Sequence, residues 1–493
     1  MSQPLDPMGN PVTVGRVVLR TPGLAGNAEW LDPVDQDAVR GAEQLTEELR
    51  DALASQEMEA QETIEITDTA ELDVGGVAAR STSLGEPSIV VEVPDPGQDF
   101  GQVVLAIDEA GVTTWNLPVD EGGAVDVTRG GATRTYVIRR HVPPVGDPAA
   151  TRGLTGALGK KLLKVLVFPI VDPLVGRAAD YLATRWERGR RPYRMRSFAP
   201  DDYRSSEAAE VGGEGWTRLA GGRALVFVHG TFSRAHSAFG AMPPSFVAEL
   251  HRRYDGRVFA FDHFTMSDDP RRNAELFVEA IPDGTELDLD IVCHSRGGLV
   301  ARVLAEKAAE LPLGARRLRV AGVVFVAVPN AGTILADAEH LGDLVDRYTN
   351  LLHFFPDNGV TDVLEAVITV VKQLAVGAVG GLEGLQAMRP GNPFLRDRLN
   401  RGSRGEVRYR AIASDYEPSD PGLLAWAKDG LMDRIFGRAQ NDLVVPTLGV
   451  YDDNGSGCFP IQEPLVLVDA GIPHNGFFAS GAARDQLLEW LPT

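Results

Sequence analysis

The sequence predicts an α/β fold with a mostly parallel sheet in its second half, preceded by a small β-rich domain. From about residue 216 onward, short apolar runs alternate with helical patterns, which is typical of parallel strands covered by helices on both faces. Between residues 63 and 142, apolar residues instead alternate with polar ones, as they do in half-buried antiparallel strands. The length of 493 residues fits two or three domains, and 44% hydrophobic with 24% charged residues is typical of globular proteins.

The composition argues against several classes of protein. The 48 Lys and Arg residues against 69 Asp and Glu residues give a net charge of −21, which would repel a phosphate backbone, so we expect no nucleic-acid partner. No secretory signal is visible at the start, and no uncharged apolar run reaches the roughly 18 residues of a membrane span. Two cysteines, Cys293 and Cys458, are too few for a disulfide framework or a Cys-rich metal site. These observations favour a cytoplasmic protein.

The first 150 residues divide into two predicted segments. Residues 1–62 are acidic and begin loosely, and the spacing of their later apolar residues predicts one amphipathic helix. Residues 63–150 are expected to form a small antiparallel β domain. The helix would contain Val39, Ala42, Leu45, Leu49 and Leu53, and the strands Ile64, Ile66, Ile89, Val91, Val93, Val103, Leu105, Ile107, Tyr136 and Ile138.

Residues 151–215 form a predicted basic connector, in which residues 152–196 contain eleven basic and three acidic side chains. One interpretation is an interfacial helix that contacts an anionic membrane and makes the protein peripheral to it. We favour a connector whose apolar side packs on a neighbouring domain, because Pro169 and Pro173 would break a long helix. The residues on which both interpretations depend are Lys160, Lys161, Lys164, Leu162, Leu163, Leu166, Phe168 and Ile170.

Residues 216–493 contain the predicted parallel sheet. Apolar runs at residues 223–229, 258–261, 287–293 and 320–328 are typical of strands, and residues 269–280 and 298–311 are typical of helices. About seventy residues, 331–400, separate consecutive strands, which is more than a crossover helix needs and indicates a helical lid insertion. Its apolar surplus would line an acyl-chain pocket or simply belong to the core, and both readings stay open.

The segment around Ser295 predicts a nucleophile. Ser295 lies on the turn from a buried strand directly into a helix, where a strained backbone can project the hydroxyl into a cleft. Its neighbours in the sequence must be small, because the strand and the helix nearly touch there. Gly297, two residues after Ser295, is small enough. Cys293, two residues before it, stands where the usual G-x-S-x-G pattern has Gly. A thiol in that place favours buried packing over a second nucleophile.

A glycine turn earlier in the chain predicts an oxyanion hole. The first strong strand ends in His229-Gly230-Thr231, and such a turn frees a backbone N–H. We expect the N–H groups of Thr231 and Arg296 to bind the oxyanion. We expect His229, which ends that strand, to have a structural role.

Six ordered elements resemble the α/β-hydrolase superfamily, specifically its lipase-like serine esterases. They are VFVHGTFS, VCHSRGGLVAR, VFVAVPNAGT, MRPGNPFLRDRLN, AQNDLVVPT and GIPHNGFF, within about residues 216–493. The resemblance implies an α/β-hydrolase fold, a doubly wound sheet, with Ser295 as nucleophile, Asp442 as acid and His474 as base. Leu443 replaces the Gly that usually follows N-D in these lipases.

The triad assignment also has a physical basis. A serine hydroxyl needs an imidazole to take its proton and a carboxylate to orient that imidazole. His474 follows a strand and precedes a terminal helix, where a loop can bring it over Ser295. For the acid, Asp442 is favoured over Asp415, which follows the strand at residues 407–413, and Asp337 is a weaker third choice.

Two classes of function fit the sequence. The leading hypothesis is a serine hydrolase that cleaves carboxylic esters, in particular lipid-like acyl esters, without a metal or organic cofactor; an acyltransferase or peptidase would be a variant of it. The alternative is a non-enzymatic interaction or effector protein that uses the hydrolase domain as a scaffold. The three triad residue types stand in order, which favours the enzyme.

Overall fold

The computed structural model describes most of the chain and separates it into two compact units. Unit 1 comprises Met1–Asp180, Ile368–Ala378 and Asp420–Met432, and unit 2 comprises Tyr181–Val367, Val379–Ser419 and Asp433–Thr493. The described residues are 2–31, 47–72, 88–108, 111–119, 133–139, 161–170, 182–356, 358–401, 406–417, 436, 439–452, 459–468 and 471–492.

Unit 1 is built from antiparallel strands. They are β1 (Ser2–Pro4), β2 (Val12–Val14), β3 (Val17–Arg20), β4 (Leu24–Leu31), β5 (Glu59–Glu71), β6 (Ser88–Pro94), β7 (Phe100–Asp108), β8 (Thr113–Asn116), β9 (Thr133–Arg139) and β10 (Lys161–Pro169). Within the described residues, one sheet has the order β1-β4-β5-β10-β7-β8 and another the order β2-β3-β6-β9. One buried cluster takes Leu19 and Val91 from the second sheet and Ile64, Ala106 and Val165 from the first, so the two sheets share a core.

The strands of unit 1 extend beyond the predicted boundaries of 63–150 on both sides. Strands β1 to β4 fall in the segment that was expected to be a loose start. Helix α1 (Glu47–Ser55) follows them and buries Leu49 and Leu53. The other residues predicted for that helix, Val39, Ala42 and Leu45, lie outside the described residues.

The predicted basic connector is wrong for residues 161–169, which form β10. This strand lies in the interior of its sheet, between β5 and β7. Leu162, Leu163, Leu166 and Phe168 are buried, and Lys164 is only 7% exposed. A strand with neighbours on both sides and apolar residues on both faces explains this composition, so the hypothesis of membrane contact loses the helix on which it depended. Lys160 lies outside the described residues.

Unit 2 contains the predicted α/β sheet. Its strands are β11 (Arg194–Ser197), β12 (Arg223–Val228), β13 (Val258–Asp262), β14 (Glu286–His294), β15 (Arg317–Val326), β16 (Arg408–Asp415) and β17 (Leu465–Val468). Its helices are α2 (Leu182–Arg190), α3 (Gly213–Ala220), α4 (Ala235–Ala238), α5 (Pro244–Arg253), α6 (Pro270–Ala280), α7 (Gly297–Glu306), α8 (Leu341–Phe354), α9 (Val360–Ala375), α10 (Glu383–Gln386), α11 (Leu448–Tyr451) and α12 (Gly481–Trp490), with short 3₁₀ turns at Ala308–Glu310, Ile334–Ala336, Ala338–His340 and Phe477–Ala479 and a π-helix at Phe394–Leu399. Helix α9 belongs to unit 2 up to Val367 and to unit 1 from Ile368.

The strand order of unit 2 positions the site. In the described part of the chain, the order is β11-β13-β12-β14-β15-β16-β17, with β11 antiparallel to β13 and the other pairs parallel. The chain leaves β12 toward β13 on one side and later reaches β14 on the other, and such a reversal opens a crevice at the carboxyl ends of the strands. The predicted α/β fold with a mostly parallel sheet is therefore confirmed. No described helix is both long and apolar enough to cross a membrane.

Candidate active site

Ser295 occupies a tight turn between β14 and α7. Its backbone has a φ of +51°, in the left-handed region that costs energy for any residue except glycine. The Ser295 N–H donates to the carbonyl of Val326 at 2.9 Å, and its own carbonyl accepts from the Gly298 N–H at 3.0 Å. These bonds hold the strained turn at the carboxyl edge of the sheet.

Glycines on either side of this turn allow the close approach that the sequence predicted. A Cβ atom on Gly297 would lie 2.3 Å from the carbonyl oxygen of His229 and 2.4 Å from that of Val228. A Cβ atom on Gly230 would lie 2.5 Å from the Cβ of Ser295. Any larger residue at either position would have to displace the backbone or the serine itself.

Cys293 is a packing residue. Its thiol is buried and lies 3.3 Å from the carbonyl oxygen of Val324. Burial raises the pKa of the Cys293 thiol well above its ordinary value. The thiol therefore stays protonated and is no rival nucleophile.

The structure brings Ser295, Asp442 and His474 together. His474 Nε2 lies 2.9 Å from Ser295 Oγ, and His474 Nδ1 lies 2.8 Å from Asp442 Oδ2. All three residues are 1% exposed. With a proton on Nδ1 donated to the carboxylate, Nε2 keeps a lone pair that accepts the serine O–H.

The loop that carries Asp442 is fixed by backbone hydrogen bonds. Asp442 Oδ1 accepts from the N–H groups of Val444 at 3.0 Å and Val445 at 2.7 Å, which leaves Oδ2 for the histidine. The His474 N–H donates to the Asp442 carbonyl at 2.9 Å, so acid and base are also tied through their main chains. Leu443, which replaces the usual Gly, is buried with a φ of +87°, so this turn keeps the left-handed conformation without glycine.

The two rival acids do not contact His474. Asp415, at the end of β16, accepts a hydrogen bond from Gln440 Nε2 at 2.6 Å. The Asp337 carboxylate lies 3.6 Å from the Arg389 guanidinium. Of the three candidates, Asp442 is the one whose carboxylate contacts the histidine.

His229 is held away from proton transfer at the serine. Its Nε2 accepts from the N–H of His263 at 3.1 Å, and its Nδ1 lies 3.1 Å from the Gly230 carbonyl. Burial lowers the pKa of His229 to about 4, so the ring stays neutral near pH 7. It braces the glycine turn that precedes Thr231.

The two predicted oxyanion donors flank Ser295. Among the described backbone hydrogen bonds, none uses the N–H of Thr231 or that of Arg296, so both N–H groups can donate to a substrate oxygen. The Arg296 side chain is buried and donates to the carbonyl oxygens of Gly384 at 2.7 Å and Phe264 at 3.4 Å. It therefore anchors its own backbone and does not enter the site.

Three residues near the triad were not predicted from the sequence. His294 Nε2 donates to the His474 carbonyl at 2.8 Å, and burial lowers the pKa of His294 to about 3, so this ring stays neutral as well. Arg347 on α8 donates to the carbonyl of Leu443 at 2.5 Å. Tyr348, the next residue of α8, lies beside the side chains of Ser295 and Thr231, and its ring meets the His474 ring edge-on with centroids 6.1 Å apart. Both helix residues fall within an apolar stripe, which resembles ordinary core.

A small cavity of about 40 Å³ adjoins His474. Its apolar wall includes Leu351, Leu352 and Val363, and its polar wall includes Thr231 and Tyr348. A wider hollow of about 580 Å³ is lined by residues such as Thr184, Arg188 and Glu383 and by none of the three triad residues. In the described residues, no group of three or more His, Cys, Asp or Glu side chains could hold a metal ion.

Comparisons with known proteins give a family and a set of structural neighbours. The family described as "Domain of unknown function (DUF7379)" matches residues 190–492. No curated protein matches the sequence of this chain.

Several solved structures are similar to parts of this chain. Lipase 1 from Pelosinus fermentans is 13% identical, with a TM-score of 0.36, over 55% of this chain and 99% of that one. EstA from Clostridium botulinum is 12% identical, with a TM-score of 0.40, over 63% and 96%. The lipase from Staphylococcus hyicus is 12% identical, with a TM-score of 0.33, over 54% and 93%. The chain thus has lipases among its structural neighbours, but at TM-scores below 0.5 these likenesses do not bear on its chemistry.

Proposed function

The chain belongs to the family described as a domain of unknown function, DUF7379, and we propose that it is a serine hydrolase that cleaves carboxylic esters through an acyl-enzyme. The observation that carries this proposal is the pair of hydrogen bonds of His474, to Ser295 Oγ at 2.9 Å and to Asp442 Oδ2 at 2.8 Å. A buried imidazole between a hydroxyl and a carboxylate is the arrangement that activates a serine.

In the first half of the proposed reaction, Ser295 Oγ attacks the ester carbonyl carbon while His474 Nε2 takes the hydroxyl proton. Asp442 keeps the imidazole in orientation and stabilises its positive charge. The carbonyl oxygen becomes an oxyanion and binds the N–H groups of Thr231 and Arg296. The tetrahedral intermediate then collapses, the bond to the alcohol oxygen breaks, and His474 returns the proton to that oxygen.

In the second half, water attacks the acyl group on Ser295. His474 takes a proton from the water and then returns it to Ser295 Oγ, which releases the carboxylic acid and restores the enzyme. Each half uses the same three side chains and the same two backbone oxyanion donors.

The size of the cavity bears on the acyl group. A cavity of about 40 Å³ holds only a few non-hydrogen atoms, so a short acyl group fits beside Leu351, Leu352 and Val363. We propose that residues 331–400, with helix α8, act as the lid of the site, and that a long lipid-like chain enters only if these side chains move. Hydrolysis rates for a series of esters of increasing acyl chain length measure the longest chain that the site accepts.

Labelling by a fluorophosphonate probe tests the proposed function, because the probe reacts with an activated serine. We expect the wild-type protein to be labelled and Ser295→Ala to be unlabelled. Ser233→Ala is the matched control, since Ser233 lines the same cavity and should leave labelling intact. A wild-type protein that resists the probe would contradict the proposal and favour the non-enzymatic alternative.

A further inference from the structure

Helix α8 brings a phenol group to the reacting atoms, although it lies outside the loops that carry Ser295, Asp442 and His474. The Tyr348 hydroxyl lies beside the side chains of Ser295 and Thr231, and its ring meets the His474 ring edge-on, with centroids 6.1 Å apart. The residue is only 7% exposed, and it lines the same cavity as Thr231 and His474. Its ring meets the Phe232 ring edge-on, with centroids 4.8 Å apart and planes at 88°. This packing fixes the position of the hydroxyl.

The phenol is a hydrogen-bond donor over the whole range in which a serine hydrolase operates. Burial raises the pKa of Tyr348 above its ordinary value of 10, and the nearby Ser295 and Thr231 side chains oppose this only in part. The O–H is therefore intact near neutral pH. Tyr348 can give its proton to an oxygen atom without becoming charged itself.

The neighbouring hydroxyl groups leave acceptor sites for that proton. Ser295 directs its O–H toward His474 Nε2 at 2.9 Å, and Thr231 directs its O–H toward Met388 Sδ at 3.6 Å. Each of these oxygens keeps lone pairs, so both are neutral acceptors to which the single proton of Tyr348 can be donated. Neither is a strong acceptor compared with an oxyanion.

The position of Tyr348 relative to Thr231 indicates which atom of a substrate it would meet. The oxyanion forms on the carbon that becomes bonded to Ser295 Oγ, and in the proposed function it faces the N–H of Thr231. Tyr348 lines the same cavity as Thr231 and His474, so its hydroxyl, beside Ser295 and Thr231, lies on that same side of the nucleophile. A side-chain donor there would strengthen its bond as charge develops on the substrate.

We propose that Tyr348 is a third oxyanion donor, a catalytic residue whose O–H donates to the substrate oxygen as the tetrahedral intermediate forms. This role rests on the proposed ester hydrolase function and adds to it a side chain from the insertion. It makes helix α8 part of the catalytic machinery as well as part of the cover over the site.

The test is Tyr348→Phe, which removes the hydroxyl and keeps the ring that packs on Phe232. We expect kcat for a short-chain nitrophenyl ester to fall about 10²-fold, the usual loss for one oxyanion donor, with KM little changed. Affinity for a trifluoromethyl ketone, which forms an anionic tetrahedral adduct with the serine, should fall by a similar factor. Tyr254→Phe is the matched control, because the buried Tyr254 hydroxyl is bonded to Asp290 at 2.9 Å and lies outside the site.

Several outcomes would overturn the role of Tyr348. One is a kcat of Tyr348→Phe that stays within threefold of wild type. Another is a lower kcat of Tyr348→Phe with unchanged affinity for the ketone, which would make Tyr348 a positioning residue. Tyr348→Leu repeats the measurement if the Phe variant unfolds. Ser295→Ala in the same assay separates the two proposals. If Ser295→Ala loses turnover while Tyr348→Phe keeps full turnover, the role of Tyr348 is wrong and the proposed ester hydrolase function stands. Absence of turnover in the wild-type protein would sink both.

Discussion

The carboxyl edge of the sheet and helix α8 hold their groups at Ser295 in different ways. At the sheet edge, main-chain hydrogen bonds hold these groups. The N–H of Ser295 donates to the carbonyl of Val326, and that of His474 donates to the carbonyl of Asp442, both at 2.9 Å. Helix α8 is held by side chains instead: the Arg347 guanidinium donates to the Leu443 carbonyl, and the Tyr348 ring packs edge-on against Phe232. Main-chain contacts break only if the fold changes, whereas side-chain contacts can break when a helix shifts. We infer that the sheet edge keeps its geometry through the reaction cycle, and that α8 is the part that can adjust to a substrate.

The largest expected effect concerns the sheet edge. Asp442→Asn keeps the shape of the side chain but replaces an acceptor by an amide that fits the wrong tautomer of His474, so kcat should fall by about 10⁴-fold. Asp415→Asn is the matched control, because Asp415 contacts Gln440 and not the histidine. Ester hydrolysis is measured for both variants. A large loss of kcat in Asp415→Asn with little loss in Asp442→Asn would show that Asp415 is the acid.

A smaller effect is expected where α8 lines the cavity. Leu352→Ala should enlarge the apolar wall and shift the preferred nitrophenyl ester toward a longer acyl chain, with the rate ratio between adjacent members changing by about tenfold. Leu344→Ala is the control, since Leu344 is buried on the same helix but does not line the cavity. An unchanged chain-length profile in Leu352→Ala would mean that the acyl group binds elsewhere.

The smallest expected effect is at the link between the two regions. Arg347→Met removes the hydrogen bond to the Leu443 carbonyl and keeps much of the apolar length of the side chain. We expect a loss of about 1 to 3 kcal/mol in the free energy of unfolding and a fall of only a few-fold in kcat, because Asp442 keeps its own backbone bonds. Denaturant unfolding and ester hydrolysis measure the two quantities. A loss in kcat as large as that of Asp442→Asn would show that the acid loop depends on α8 for its geometry.

The sheet-edge residues were predictable because their backbone imposes residue types. The turn at Ser295 leaves no space for a side chain at Gly297 or Gly230, so the glycines mark it in the sequence. The sequence favoured Asp442 over Asp415 as the acid but kept Asp415 as a rival, because both follow the same strand and only the folded loop shows which carboxylate reaches His474. Tyr348 was not found, since one polar atom in a stripe of core residues leaves no local pattern.

Strand β10 escaped prediction for a related reason. A strand between two others, with apolar residues on both faces, loses the alternation that marks half-buried strands. In β10 the lysines Lys161 and Lys164 beside that apolar run suggested an interfacial helix. Pairing with β5 and β7 is a long-range contact, and no local spacing within nine residues encodes it.

The position of β10 in its sheet also sets an order of events during synthesis. This strand is the last of unit 1 to leave the ribosome among the described strands, yet it joins β5 to β7 in the middle of the sheet. Until residue 169 has emerged, two interior strands have unpaired edges that can pair with other chains. A fragment that ends before Lys161 would keep those edges permanently open. A shortened version of this protein for expression should therefore either contain every residue up to Pro169 or lack all of the strands β1 to β10.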